Sequence, residues 1–131
     1  MTVLRAGLWL LAAVETGVGV VATFLPGVFY EKVPWVALTP PYSEHLMRDY
    51  GAMNLAVAVV LVVAAVTLAP LLVRTALAAM VVFAVPHLVF HATHLDRFDP
   101  AAATTEMVAL GVGALLPAAL LVVSLRHTGR R

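Results

Sequence analysis

Residues 55–66 read LAVAVVLVVAAV, a run in which every position is apolar. A strand of a membrane β-barrel would alternate apolar and polar residues over about ten positions, and this run does not alternate. A helix that is apolar on every face is typical of a segment buried in a membrane or in the core of a large protein. The run therefore predicts a membrane-spanning α-helix.

The composition of the whole chain is that of a membrane protein. Of the 131 residues, 63% are hydrophobic and 11% are charged, whereas a soluble domain has roughly 45–50% apolar and about 25% charged residues. Too few polar residues remain to cover a surface that faces water. The formal charge of +1 gives no reason to expect a nucleic-acid partner, and the absence of cysteine excludes disulfides, iron–sulfur clusters and thiolate zinc sites.

Four apolar runs are each long enough to cross a hydrocarbon core of about 30 Å as a helix. The sequence predicts an all-α polytopic membrane protein, a single domain over residues 1–131 in which four transmembrane helices form a bundle. The predicted helices cover about 6–25, 44–69, 75–94 and 105–125, with an outer loop at 26–43.

Proline and serine positions predict the helix ends. Helix-breaking residues fall between the runs at Pro26–Gly27, Pro40–Pro41 and Pro70. Ser43, a good N-cap residue, predicts that the second helix begins at Glu44. Pro86 and Pro117 lie inside predicted helices and are expected to kink them.

The basic residues predict the orientation of the helices. With four spans both chain termini lie on one side, and that side receives most of the basic residues: Arg5, Arg74, Arg126, Arg130 and Arg131. The opposite side receives Lys32, Arg48 and Arg97, together with the acidic residues Glu31, Glu44, Asp49, Asp96, Asp99 and Glu106. The positive-inside rule then predicts a multi-pass protein of the cytoplasmic (inner) membrane with both termini inside, N-in and C-in. The basic segment 126–131 is expected to bind anionic membrane lipids.

The outer loop is rich in aromatic residues, among them Tyr30, Trp35 and Tyr42. Tyrosine and tryptophan prefer the headgroup level, where the ring is buried and its polar atom is hydrated. The loop is therefore expected to lie on the membrane surface, with a lid over a cavity as the alternative. If the loop covers a cavity, Trp35 is a candidate ligand contact.

The strongest local signal is a set of histidines in the third helix. His87, His91 and His94 are spaced i, i+4 and i+7, which places them on one face. At a rise of about 1.5 Å per residue, His91 lies about 5 Å and His87 about 10 Å deeper than His94. Glu15 lies about 15 Å along the first helix from Arg5, near the midplane. Ionisable groups at such depths are costly and usually face the interior of the bundle, where they find partners.

These residues are expected to converge, with Asn54 of the second helix, on one polar pocket that opens to the outer face. At its mouth the second helix supplies two i, i+4 pairs, Glu44 with Arg48 and His45 with Asp49. The candidates for proton transfer are Glu15, Asp49, His87 and His91. The candidates for ligand contact are Asn54, His45, Arg48, His94 and Trp35.

The pocket suggests a lipophilic small molecule of the quinone or isoprenoid type as the ligand. Apolar walls would hold its body, and the histidines, which titrate near neutral pH, would exchange protons with it. In a different class of function, the polar groups only join helices, and the protein is a non-enzymatic accessory or packing subunit. Assembly as a homo-oligomer is compatible with either.

Histidine and carboxylate side chains also raise the possibility of a metal or haem cofactor. A divalent metal ion could be held by His87 and His91, with Glu15, Asp49 or Glu106 completing the site. A haem would need two facing histidines, and His45 opposite His91 or His94 is the natural pair.

Three stretches of the sequence resemble a family of small four-helix membrane proteins from actinobacteria. They are ETGVG at residues 15–19, YSEHLMRDYGAMNL at residues 42–55 and PHLVFHATHL at residues 86–95, and the resemblance spans most of the chain. The family is similar to DoxX-like proteins, which are associated with membrane oxidoreductase systems and quinone chemistry. The resemblance implies a four-helix membrane fold and a link to quinones, and it draws attention to residues 44–54 and to the three histidines.

Overall fold

The computed structural model of the chain describes residues 1–38 and 41–126. Within these two ranges the chain is helical, without a β-strand, and four of its helices are long and apolar enough to cross a membrane. The predicted all-α fold with four membrane-spanning helices is therefore confirmed, while the N-in, C-in orientation stays a prediction. Pro40 of the predicted loop break and residues 127–131 of the predicted lipid-binding segment lie outside the described residues.

Four long helices and one short helix follow each other along the chain. In order they are α1 (Thr2–Phe24), the short α2 (Pro26–Lys32), α3 (Glu44–Thr67), α4 (Pro70–Ala92) and α5 (Pro100–Arg126), with a 3₁₀ turn (Val36–Leu38) after α2. Only residues 68 and 69 join α3 to α4, so these two helices are antiparallel neighbours.

Two helices begin earlier than the apolar runs predict. The sequence predicts starts near residues 75 and 105, but α4 begins at Pro70 and α5 at Pro100. Proline suits the first turn of a helix because its missing N–H would have no partner there and its φ is already helical. The Asp99 carboxylate also caps α5 by accepting hydrogen bonds from the backbone N–H groups of Ala101 and Ala102, at 2.9 and 3.1 Å. Hydropathy marks the apolar part of a helix, whereas the cap determines where the helix begins.

The predicted outer loop, residues 26–43, is partly helical because it contains α2 and the 3₁₀ turn. At its end, the Ser43 hydroxyl accepts a hydrogen bond from a backbone N–H of the first turn at 3.5 Å, and α3 begins at Glu44, where the sequence predicts it. The helices α4 and α5 continue through Pro86 and Pro117 without interruption.

The buried core lies at the end of the bundle where α1 begins and α5 ends, which we call the terminal end. Leucine, alanine and valine side chains from all four long helices meet there, with Leu8, Leu61 and Leu77 fully buried. At the same end, Arg74 of α4 donates a hydrogen bond from Nη2 to the Ser124 carbonyl oxygen of α5 at 3.2 Å. In a bilayer this core stabilises the bundle through van der Waals packing, because lipid tails are as apolar as leucine.

The long helices are arranged as two pairs, α1 with α3 and α4 with α5. Glycines let α1 approach α3 closely: a Cβ on Gly19 would lie 2.8 Å from Leu55 Cγ, and a Cβ on Gly51 would clash with Thr23. Gly17, by contrast, has open space where its Cβ would be. The two pairs meet chiefly through the core at the terminal end. They leave space between them at the opposite end, which we call the loop end.

Candidate functional site

A cleft of about 950 Å³ occupies the loop end between the two helix pairs. Its walls carry these side chains: Val18, Met47 and Tyr50 from the α1–α3 pair, and His87, Phe90, His91 and Leu110 from the α4–α5 pair. Apolar groups make up most of the lining. The cleft therefore brings the predicted histidine face onto the wall of an apolar cavity.

The third side of the cleft is formed by α2 and the turn that follows it. Phe29, Val33 and Trp35 line the cleft from this segment. The Phe29 ring packs against the Tyr50 ring of α3, with 6.0 Å between the ring centroids, which holds α2 against the helix pair. The segment thus borders a cavity, the position that the sequence analysis kept as the alternative to lying on the membrane surface.

Three polar side chains of the α4–α5 pair are linked by contacts, because His91 touches both Glu106 and His87. The His91 Nδ1 atom lies 2.6 Å from the Glu106 Oε1 atom, and the two side chains are 13% and 0% exposed. The His87 and His91 rings meet edge to face, with their centroids 4.6 Å apart, and the Phe83 ring stacks on His87 at 5.3 Å. Glu106, His91 and His87 therefore form a continuous row, which we call the polar row; His91 and His87 line the cleft, and Glu106 is buried behind His91.

The Glu106 carboxylate is fully buried in the polar row. Taking a carboxylate out of water costs several kcal/mol unless a partner compensates its charge. His91 is at ion-pair distance, but its ring nitrogen is not aligned with Oε1 as a hydrogen bond requires. Neither carboxylate oxygen has a hydrogen-bond partner among the residues that the structure describes. The carboxylate therefore keeps the capacity to accept a proton or a hydrogen bond.

The sequence brings Glu106 near His91 only as one of three alternative residues that could complete a metal site, and otherwise predicts it to be an acidic residue of the outer side. A helix start near residue 105 would leave this residue at the membrane surface. Because α5 begins at Pro100 instead, Glu106 lies six residues, or about 9 Å, inside the helix. Pro100 and the capping residue Asp99 are the sequence signals that would have predicted the earlier helix start and the position of Glu106 inside α5.

The α1–α3 wall presents a different polar residue from those that the sequence predicts. Glu15 and Asn54 are not among the described residues that line the cleft, although Val18 and Tyr50, each about one turn away, do line it. Asn54 is buried, and its Nδ2 donates a hydrogen bond to the Tyr50 carbonyl oxygen at 2.6 Å. Glu15 is half-buried and interacts electrostatically with Tyr50. Glu15 and Asn54 therefore do not line the cleft with the histidines, and Tyr50 is the polar residue on this wall.

The two ion pairs predicted at the mouth form on the exposed face of α3 and do not line the cleft. The His45 Nε2 atom lies 3.1 Å from the Asp49 Oδ2 atom, and the side chains are 82% and 63% exposed. Arg48 pairs with Glu44 at 2.7 Å and also donates a hydrogen bond to the Thr23 carbonyl oxygen in the last turn of α1. Carbonyl groups in that turn have no partner within the helix. Arg48 thus joins the end of α1 to the start of α3.

His94 lines the cleft nearer its mouth than His91 and His87 do. It follows the last residue of α4 by two positions. Its Nδ1 atom is 2.7 Å from the Phe90 carbonyl oxygen, and its ring stacks on the Phe90 ring with centroids 4.2 Å apart. This contact with a carbonyl at the helix end fixes the ring at the mouth.

The geometry adds no support to the metal or haem hypotheses. In residues 1–38 and 41–126, no three histidine, cysteine, aspartate or glutamate side chains are placed to hold one metal ion together. Of the predicted metal ligands, His91 contacts both His87 and Glu106. His45, the predicted haem partner of His91 or His94, is exposed and paired with Asp49.

Comparison of the chain with protein-family models, curated proteins and solved structures gave no match. The resemblance to DoxX-like proteins therefore stays a prediction from the three sequence stretches. The cleft and the histidines on its wall are the features of the structure that bear on function.

Proposed function

We propose that the protein binds a lipophilic small molecule of the quinone or isoprenoid type in the cleft and exchanges protons with it. The cleft itself carries this proposal. Its volume of about 950 Å³ lies within the range of about 300–1,000 Å³ that is usual for small-molecule sites. Such sites combine apolar walls with a few convergent polar groups, and this cleft has apolar walls and the two histidines of the polar row.

The polar row supplies the chemistry of the proposed proton exchange. His91 directs Nδ1 toward Glu106, so Nε2 is the nitrogen left for a ligand. A proton moves between Nε2 and a ligand oxygen, and the Glu106 carboxylate stabilises the imidazolium while His91 is charged. His87, in contact with His91, extends the row along α4.

The cellular setting that fits this function is the cytoplasmic (inner) membrane with the loop end outside. Basic residues of the sequence support this orientation, since Arg130 and Arg131 add to Arg5, Arg74 and Arg126 on the side of the termini. In this orientation the cleft opens near the outer headgroups, and a lipophilic ligand enters it from the bilayer. The quinone chemistry implied by the resemblance to DoxX-like proteins agrees with such a ligand.

Tryptophan fluorescence tests the proposal because Trp35 lines the cleft. The chain has two tryptophans, and Trp9 lies on α1 away from the cleft lining. In detergent, a Trp9→Phe variant reports on the cleft alone, and a Trp35→Phe variant reports on partition into the micelle. Decylubiquinone quenches tryptophan at short range. We expect saturable quenching of Trp35 that farnesol, an isoprenoid that does not quench, reverses.

The control variant separates binding from partition. Quenching of Trp9 should rise in proportion to the quinone concentration, without saturation and without reversal by farnesol. If Trp35 behaved in the same way as Trp9, the cleft would not be a ligand site and the proposal would be wrong. That result would favour the hypothesis of a non-enzymatic accessory subunit.

A further inference from the structure

Two basic side chains lie at the mouth of the apolar cleft. Lys32, at the end of α2, and Arg97, in the connection between α4 and α5, both line the cleft. They come from different segments of the loop end. Within residues 1–38 and 41–126, neither side chain forms an ion pair with a carboxylate. The mouth therefore holds two cations whose charge no described acidic group compensates by contact.

The charges at the mouth add up to a positive site beside an apolar interior. Asp96 is the one acidic residue in the described lining, against Lys32 and Arg97. His94 lines the same region and adds a third positive charge when it is protonated. Lysine and arginine both bind phosphate and carboxylate groups, and arginine does so through two parallel hydrogen bonds. Positive groups next to apolar walls are complementary to a molecule with an anionic head and a hydrocarbon tail.

We propose, building on the proposed function, that the ligand of the cleft is an anionic amphiphile whose phosphate or carboxylate head is bound by Lys32 and Arg97. Its hydrocarbon tail lies deeper in the cleft, between Met47 of α3 and Leu110 of α5. His91 and His87 are deeper than the mouth and one turn of α4 apart. The part of the ligand next to its head therefore lies beside the polar row, and this part carries the oxygen that exchanges a proton with His91.

Matched pairs of ligands test this proposal in the Trp9→Phe protein. Farnesyl monophosphate and farnesol share one tail, as do dodecanoate and dodecanol, and each is titrated against bound decylubiquinone below its micelle-forming concentration. We expect the anionic member of each pair to displace the quinone at about ten-fold lower concentration than the neutral member, because it gains charge-assisted contacts. The advantage should shrink when NaCl is raised from about 0.05 M to about 0.5 M.

Variants of the mouth show whether Lys32 and Arg97 cause the preference. In a Lys32→Gln/Arg97→Gln protein the anionic and neutral members should displace the quinone within about two-fold of each other, with the neutral member unchanged. An Arg5→Gln/Arg126→Gln protein, altered at the terminal end, should keep the full preference. Asp96→Asn removes the one acidic group of the lining and should increase the preference, a gain that misfolding cannot produce.

Each contrary result has a separate meaning. Equal displacement by the anionic and neutral members overturns the anionic headgroup and leaves the proposed lipophilic site intact. A preference that survives in the Lys32→Gln/Arg97→Gln protein overturns the assignment to these two residues. Absence of any saturable quinone binding overturns the proposed function, and this proposal falls with it.

A further displacement experiment, with added phospholipids, identifies the kind of molecule that carries the headgroup. Micelles are supplemented with dioleoylphosphatidylglycerol or with dioleoylphosphatidylcholine. Displacement by phosphatidylglycerol as effective as that by farnesyl monophosphate assigns the site to an anionic membrane phospholipid. Displacement by farnesyl monophosphate alone assigns it to a single-chain ligand. Both results support the anionic headgroup, whereas displacement by phosphatidylcholine as effective as that by farnesyl monophosphate contradicts it.

Discussion

The terminal end and the loop end of the bundle are built from the same four helices but contain opposite kinds of packing. At the terminal end, Leu8, Leu61 and Leu77 are fully buried among other apolar side chains. At the loop end, the helix pairs border a cleft, and Glu106 is buried without an aligned hydrogen bond. Apolar packing at one end can stabilise the bundle while the other end keeps a cavity and a costly carboxylate. The two ends should therefore respond differently to substitution.

The largest expected effect is at the loop end, in the polar row. His91→Leu removes the side chain that, when protonated, compensates the charge of the buried Glu106 carboxylate. Loss of one member of a buried ion pair typically costs about 3–5 kcal/mol. We expect a loss of this size in the free energy of unfolding, measured by denaturing the protein with dodecyl sulfate in mixed micelles.

A double variant separates the effect of the charge from the effect of packing. His91→Leu/Glu106→Leu removes both members of the pair, and replacement of a buried pair by apolar residues is often neutral or stabilising. The double variant should regain most of the stability that the single variant loses, but it should bind decylubiquinone less tightly than the unaltered protein. A double variant as unstable as His91→Leu would mean that the imidazole contributes packing rather than charge.

A smaller loss of stability is expected from the core at the terminal end. Leu61→Ala creates a cavity where the side chain is fully buried. Such substitutions cost about 2–5 kcal/mol in the free energy of unfolding. We expect a cost in the lower half of this range because α3 and its neighbours can relax around the cavity. Leu71→Ala is the matched control because Leu71 is 80% exposed, and its effect should stay within about 0.5 kcal/mol. Quinone affinity should be unchanged in folded Leu61→Ala protein. A large loss of affinity would show that the two ends are not independent.

A still smaller effect is expected within the α1–α3 pair. Gly51→Ala places a methyl group against Thr23 at the loop end, and overpacking of this kind costs about 1–3 kcal/mol. Gly17→Ala has open space for its methyl group and should be neutral or stabilising by up to about 1 kcal/mol, since alanine favours the helix. Equal effects of the two substitutions would contradict the close contact between α1 and α3.

The sequence predicts the helices well because membrane-spanning length and apolar composition are local properties. It also predicts that His87, His91 and His94 share a face, and all three line the cleft with Trp35. The pairing of α1 with α3 and of α4 with α5 could not be predicted, because helices that are apolar on every face have no stripe to show which side meets a neighbour. The preference of polar and ionisable groups for the bundle interior predicts Glu15 and Asn54 beside the histidines, whereas Tyr50 is the polar residue that lines the cleft on that wall.

The smallest effect on stability is expected from a substitution on the exposed face of α3. The same substitution tests whether the ligand site extends beyond the cleft. His45 was predicted as a ligand contact, but its side chain is exposed and pairs with Asp49 off the cleft. His45→Gln should change the free energy of unfolding by less than about 0.5 kcal/mol and leave quinone affinity unaltered. His87→Gln, a matched change on the cleft wall, should weaken quinone binding about ten-fold, because it removes a polar contact that the apolar walls cannot replace. If His45→Gln weakened binding as much as His87→Gln does, the ligand would have to reach the surface of α3, and the space between the helix pairs would not be its site.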